Sequence, residues 1–156
     1  MAHGNVSRSL LILACSQLKF ATSGLMPAIE RYDGVNYRVL KKAKRVGNWP
    51  SNLDILILSA KYGLIAAEAQ IEYYDLRLTP ERAVVLREQI SNKLDYYLRL
   101  TDYSQIFINL GKVYLSTLTS SKKLPEYGER VIFAKGGIGK KMSQMKAWLV
   151  DLSQQK

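Results

Sequence analysis

Four short runs of Leu, Ile, Val and Phe punctuate the chain, at Ser9 to Ala14, Leu53 to Leu58, Ser104 to Leu110 and Arg130 to Ala134. None alternates apolar with polar residues, which is the pattern of strands buried on both faces of a sheet. Helical periodicity fills the intervals. One helix is expected from Val35 to Arg45, between the Asp33-Gly34 turn and Gly47, with Pro50 blocking continuation. A long central helix should start with Thr79 as N-cap and Pro80 at the first position. Its buried stripe reads Ala83, Leu86, Ile90, Leu94 and Tyr97, with Arg82, Arg87 and Lys93 opposite. The last helix carries Ile138, Met142, Met145, Leu149 and Leu152 on one face, widened by Trp148. A short helical turn is expected near Pro27 to Glu30.

Strands alternating with helices imply βα crossovers. The expected fold is α/β, a three-layer α/β/α sandwich around a mainly parallel sheet of about four strands. The stretch from Ser59 to Leu78 has no single periodicity, and so long a connection inside a domain is usually functional.

The 156 residues suit a single domain, with residues 1 to 8 expected to be flexible. The lone cysteine, Cys15, excludes an internal disulfide, and the lone histidine, His3, leaves no Cys/His metal cluster, so neither metal nor cofactor is expected. Arg8 followed by Ser9 to Cys15 resembles a lipoprotein signal, but the apolar run ends after five residues, short of the roughly 7 to 15 of a signal core. No other stretch approaches membrane-spanning length, and the expected location is the cytoplasm, with no membrane partner. The formal charge of +10 points to a phosphate-bearing small molecule or nucleic acid as partner.

Ligands of open parallel sheets bind beyond the carboxyl ends of the strands, where helix N-termini offer N–H groups to anions. Four polar motifs start within a residue or so of predicted strand ends, and are expected to converge on one site. In the first, Cys15 is a candidate nucleophile with its thiolate favoured by Lys19 or a helix N-terminus, or else a small buried sulfur; no histidine base accompanies it. Ser16 and Lys19 are candidate ligand contacts. In the second, Ser59, Lys61, Tyr62 and Gly63 follow one another almost without interruption. Lys61 can hold a phosphate or act as an acid and Tyr62 can stack on a base; the alternative is a packed tyrosine and a snorkelling lysine.

The third motif, Gly111, Lys112 and Tyr114, is included for its position alone. In the fourth, Gly136, Gly137, Gly139 and Lys140 can cradle a phosphate, or form a glycine turn beside a solvated lysine. Arg31 and Arg38 bring guanidinium forks suited to phosphate near a basic helix that can equally be a solvated face. Tyr74 and Asp75 stand among the carboxylates Glu68 and Glu72. Asp75 can orient Lys61, serve as general base, or pair with Arg77.

The order Cys15-Ser16 with Lys19, Pro27-Ala28, Arg31-Tyr32-Asp33-Gly34, Tyr37-Arg38, Leu58 to Ile65, Tyr74-Asp75 and Gly136 to Lys140 resembles a little-characterised bacterial and phage family defined as a domain of unknown function. The resemblance spans Leu10 to Trp148. The Cys-Ser start with its downstream lysine is also similar to the small α/β domain of archaeosine synthase, whose fold resembles uracil-DNA glycosylase, and this implies nucleobase chemistry or recognition. The glycosylase Gly-Gln-Asp-Pro-Tyr and His-Pro-Ser motifs are absent, so the resemblance does not extend to base excision.

The leading expectation is a nucleotide-, nucleoside- or nucleobase-processing enzyme, with Cys15, Ser16, Lys61 and Asp75 as candidate catalytic residues and the remaining motif residues binding ligand. A non-catalytic nucleotide or nucleic-acid module, and an accessory stress or mobile-element protein acting through a protein partner, are the alternatives.

Overall fold

The computed structural model of the protein describes residues 7–155. The expected flexibility of the N-terminus falls largely on residues 1–6, including His3, which lie outside the described residues. The central strand, β1 (Ser9–Ala14), is hydrogen-bonded on both edges. It runs parallel to β3 (Leu53–Ser59), pairing Ser9 with Leu53 through to Ala14 with Leu58, and parallel to β6 (Gln105–Asn109), pairing Ser9 with Gln105 through to Leu13 with Asn109. β7 (Val131–Phe133) extends the sheet in parallel beyond β6.

A fifth strand, which the apolar runs did not signal, occupies the other edge. β4 (Gly63–Ala66) folds back antiparallel on β3, and the sheet order is β4-β3-β1-β6-β7. The four residues of β4 are too few to show alternation, so the turn before them reads in sequence as a loop. Gly63 opens the strand at φ 75°, a left-handed conformation that side chains disfavour. The stretch from Ser59 to Leu78 is thus partly regular, since β5 (Gln70–Ile71) also pairs antiparallel with β2 (Met26–Pro27) as a small ribbon.

Residues of β1 and β3 point alternately to two cores. Leu10, Ile12, Leu56 and Leu58 face α3 (Pro80–Leu100), while Leu11, Leu13, Ile55 and Ile57 face α2 (Val35–Arg45) and α5 (Ile138–Gln154). This is the expected three-layer sandwich. A single turn, α1 (Ala28–Arg31), follows β2. α3 is capped as anticipated, the Thr79 hydroxyl accepting the Arg82 N–H at 3.1 Å with Pro80 in the first turn. Among the described residues no helix is long and apolar enough to cross a membrane.

Two stripe positions differ from expectation. Leu98 is the buried residue at the end of the α3 core, against which Tyr97 packs only half-buried, and Ile138 at the start of α5 is 74% exposed. α3 also buries Asp95, whose carboxylate accepts the Ser121 hydroxyl and the Lys122 and Lys123 N–H groups at 3.0 and 3.1 Å. Burial opposes that charge, but these donors outweigh it and hold the carboxyl below its ordinary range.

Two stability measurements follow from this packing. Leu98→Ala should cost about 2–5 kcal/mol in urea denaturation, and Tyr97→Ala clearly less. Because the folded carboxyl of Asp95 is depressed, its contribution is full above about pH 4 and is lost as pH falls through its lower native value. Asp95→Asn should therefore lower stability at pH 7 and flatten the acid limb of the stability curve; an unchanged acid limb would refute the assignment.

Candidate functional site

From β1 the chain crosses through α2 to β3 on one side, and later through α3 to β6 on the other. Loops leaving the carboxyl ends of β1 and β6 therefore diverge to opposite faces of the sheet and leave a crevice between them, the usual ligand position in such sheets. Cys15 sits at its centre. Its N–H continues the ladder to the Leu58 carbonyl at 2.9 Å, and its Sγ lies 3.3 Å from the hydroxyl of Tyr114. Tyr114 belongs to α4 (Lys112–Leu115), for which Gly111 is the N-cap.

The crevice has two lobes that share Cys15, Ser16, Gln17, Gly111 and Tyr114. One, of about 470 Å³, adds Lys19, Asp75, Arg77 and Lys112, and so carries an excess of positive charge. The other, of about 450 Å³, adds Gly34, Asn36, Tyr37, Asn109 and Lys141. Its cation is committed, Lys141 Nζ donating to the Leu110 carbonyl at 2.9 Å. Amides dominate what is left. Asn109 is 5% exposed, and its Nδ2 finds among the described residues only the Met145 sulfur at 3.6 Å. The Oδ1 of Asn36 is enclosed with no hydrogen-bond partner among the described residues. A buried amide so poorly satisfied costs on the order of 1–3 kcal/mol, which a ligand that hydrogen-bonds to it can return.

Ser16 lines both lobes, but its hydroxyl is committed to shaping the loop. It donates to the Leu18 carbonyl at 2.6 Å and accepts the Gly34 N–H at 3.2 Å. A Cβ on Gly34 would lie 2.8 Å from that of Ser16, so glycine is what allows the β1 loop and the start of α2 to approach.

Four tyrosines pack around these loops. Tyr37 donates to the Ala14 carbonyl at 2.7 Å, while the hydroxyls of Tyr32 and Tyr74 meet at 2.5 Å and Tyr74 reaches Ser59 Oγ at 2.9 Å. Burial pushes the Tyr32 phenol up to about 12, and raises those of Tyr37 and Tyr74 as well. Tyr114 is raised by burial first and then by the neighbouring Cys15. All stay protonated at neutral pH, so the phenol beside Cys15 is a neutral hydroxyl, able to donate or accept a hydrogen bond, rather than a base.

The four motifs do not all converge. Ser59, Lys61, Tyr62 and Gly63 form the β3–β4 turn and do not line the crevice; buried Ser59 accepts the N–H groups of Lys61 and Tyr62 at 3.1 and 3.0 Å. Lys61 reaches only the margin, its Nζ 5.9 Å from the Tyr74 ring that also carries Lys19 Nζ at 4.7 Å. Tyr74 itself is buried, with its hydroxyl spent internally. Gly136, Gly137, Gly139 and Lys140 are exposed outside both lobes, and of that turn only Ile138 borders them. Gly136, at φ 97°, lets the chain turn into α5 with the Lys140 side chain folded against it.

Arg31 is fully buried rather than facing a phosphate. Its guanidinium donates to the carbonyls of Phe20, Thr22, Gly24 and Ile71 at 2.6–3.1 Å and so staples the loop that follows β1. Arg38 is exposed and pairs with Asp33 at 3.4 Å. Asp75 lies exposed in the cationic lobe and makes no ion pair with Arg77 or Lys61 among the described residues. Gln17, Asn36 and Asn109 were not anticipated. Of these, Asn109, an amide near the end of an apolar run, carried a signal in the sequence.

Removing the Arg31 staple takes the donor from four carbonyls, that of Ile71 buried, and leaves a cavity where a fully buried side chain stood, so Arg31→Ala should destabilise the protein by about 3 kcal/mol. Arg38→Ala should stay within about 0.5 kcal/mol. Thermal and urea denaturation of the two variants compare them directly, and equal effects would contradict the assignment.

Comparison with known proteins adds fold and family. No curated protein matches the chain. The crystal structure of AF0587, a protein of unknown function, superposes over 96% of this chain with a TM-score of 0.53 at 11% identity. The chain spans 46% of the length of that protein, and the likeness is one of fold. A family model described as a family of unknown function, DUF6884, matches residues 10–147, and the chain belongs to that family.

Proposed function

We propose that the crevice between β1 and β6 binds a nucleotide-like ligand, a nucleotide, modified nucleoside or nucleobase, and that the protein processes it. The carrying observation is the division of the crevice at Cys15 and Tyr114 into a lobe with Lys19, Arg77 and Lys112 and a lobe with Asn36 and Asn109. Lysine and arginine suit a phosphate, and paired amide donors and acceptors suit the edge of a base. The net charge of +10 supports a polyanionic partner. The similarity of the Cys-Ser-x-x-Lys start to the uracil-DNA-glycosylase-like domain of archaeosine synthase supports the same ligand class. A cytoplasmic location fits this reading.

In an enzyme, Cys15 is the group nearest the junction of the lobes and Asp75 the carboxylate available as base. One observation favours the second reading, a non-catalytic binding module. The only hydrogen-bond partner of the Cys15 thiol among the described residues is a phenol whose own proton is held more tightly than usual, a poor activator.

Calorimetry and thermal shift with nucleoside monophosphates, nucleosides, free bases, ribose 5-phosphate and phosphate test the binding. Asn109→Leu should weaken base-containing ligands by about tenfold, roughly 1.4 kcal/mol, and spare phosphate. Lys112→Ala should do the converse. If no member of the panel binds, the reading is wrong. If nucleotides bind and none is turned over, the binding module replaces the enzyme.

A further inference from the structure

From the rim of the crevice, lysines and tyrosines alternate along a path toward the β4 edge. It begins at Lys19, which lines the cationic lobe and holds its Nζ 4.7 Å from the ring of Tyr74. Lys61 lies over the same ring at 5.9 Å and over Tyr62 at 5.2 Å, and the two rings meet edge to face at 5.5 Å. Tyr62 in turn lines a groove of about 570 Å³ beside the outer strand β4, whose far wall on α3 carries Gln89, Asn92, Lys93 and Tyr96. Lys93 sits 5.4 Å from the Tyr96 ring, which is 47% exposed.

From this continuity we propose that the β3–β4 turn and the groove at the β4 edge form a track for single-stranded nucleic acid leading out of the crevice. The inference deepens the nucleotide reading by making the ligand one unit of a polymer. Such strands are bound by cationic grooves with aromatic platforms, since every base presents a face for stacking. Tyr62 and Tyr96 are the platforms. Lys61 and Lys93 rest on the rings only weakly at an exposed site, so each can turn to a backbone phosphate when a base takes its place. Gln89 and Asn92 supply hydrogen bonds that tolerate any base. Lys93 and two tyrosines without carboxylates on the groove walls, with Lys61 over the outer Tyr62 ring, match a polyanion that carries rings, rather than an acidic peptide.

Fluorescence anisotropy on the full chain compares an oligothymidylate and an oligouridylate of about twelve nucleotides, within the range of known single-strand sites, with the mononucleotides. We expect an oligomer to bind at least about tenfold tighter than its mononucleotide, with affinity falling as salt rises. Tyr96→Ala, on an exposed helix face, should remove about tenfold of that affinity and leave mononucleotide binding unchanged. The track is refuted if length adds no affinity, if Tyr96→Ala leaves the oligomer unaffected, or if linear polyphosphate of equal charge competes as well. Oligomer binding that depends on Tyr96, without any mononucleotide binding, keeps the track and overturns the cleft reading instead.

Discussion

Everything in this fold is arranged around one fully enclosed strand. β1 is hydrogen-bonded along both edges and its residues Leu10 to Leu13 are buried on both faces, so its position is over-determined by two ladders and two cores. Shifting its register by one residue would exchange the side chains facing α3 with those facing α2 and α5. That rigidity holds Cys15 at a fixed height in the crevice. The divergence of the chain to either side of β1 is also what opens the crevice, so the stability of the sheet and the location of the site have a common cause.

The chemistry around that strand end is set by enclosed tyrosines more than by charged groups. Their hydroxyls bind one another, Ser59 and the Ala14 carbonyl, and burial keeps them protonated. They fix the loops that carry Gln17, Asn36 and Lys19 without themselves offering bases or anions. A site built this way recognises by shape and hydrogen bonding, with formal charge concentrated in one lobe. The amides in the other lobe are left short of partners, a state that a binding site tolerates and a packed core normally avoids.

Much of this was legible in the sequence. The runs that became β1, β3 and β6 are continuous apolar segments because both faces are covered, β7 is a half-buried edge strand that its apolar run still marked, and Thr79-Pro80 announces the start of α3. β4 escaped because its four residues form a short edge strand with no periodicity to read. The places of the loops after β1 and β6 followed from strand ends alone. What could not be read was the direction of individual side chains. Arg31 has the composition of a phosphate ligand, yet local folding turns its fork inward onto carbonyls, and only three-dimensional packing decides between the two. Ser59 and Tyr74 belong to the same class, polar residues whose partners lie far along the chain.

The Arg31 staple has an evolutionary implication. It grips the loop after β1 through main-chain oxygens of Phe20, Thr22 and Gly24, groups that every amino acid possesses. The outward side chains there, Leu18 at 55% exposure, Phe20 at 46% and Leu25 at 63%, contribute little to the shape of the segment that displays them. Drift can therefore rewrite this surface while its contour persists.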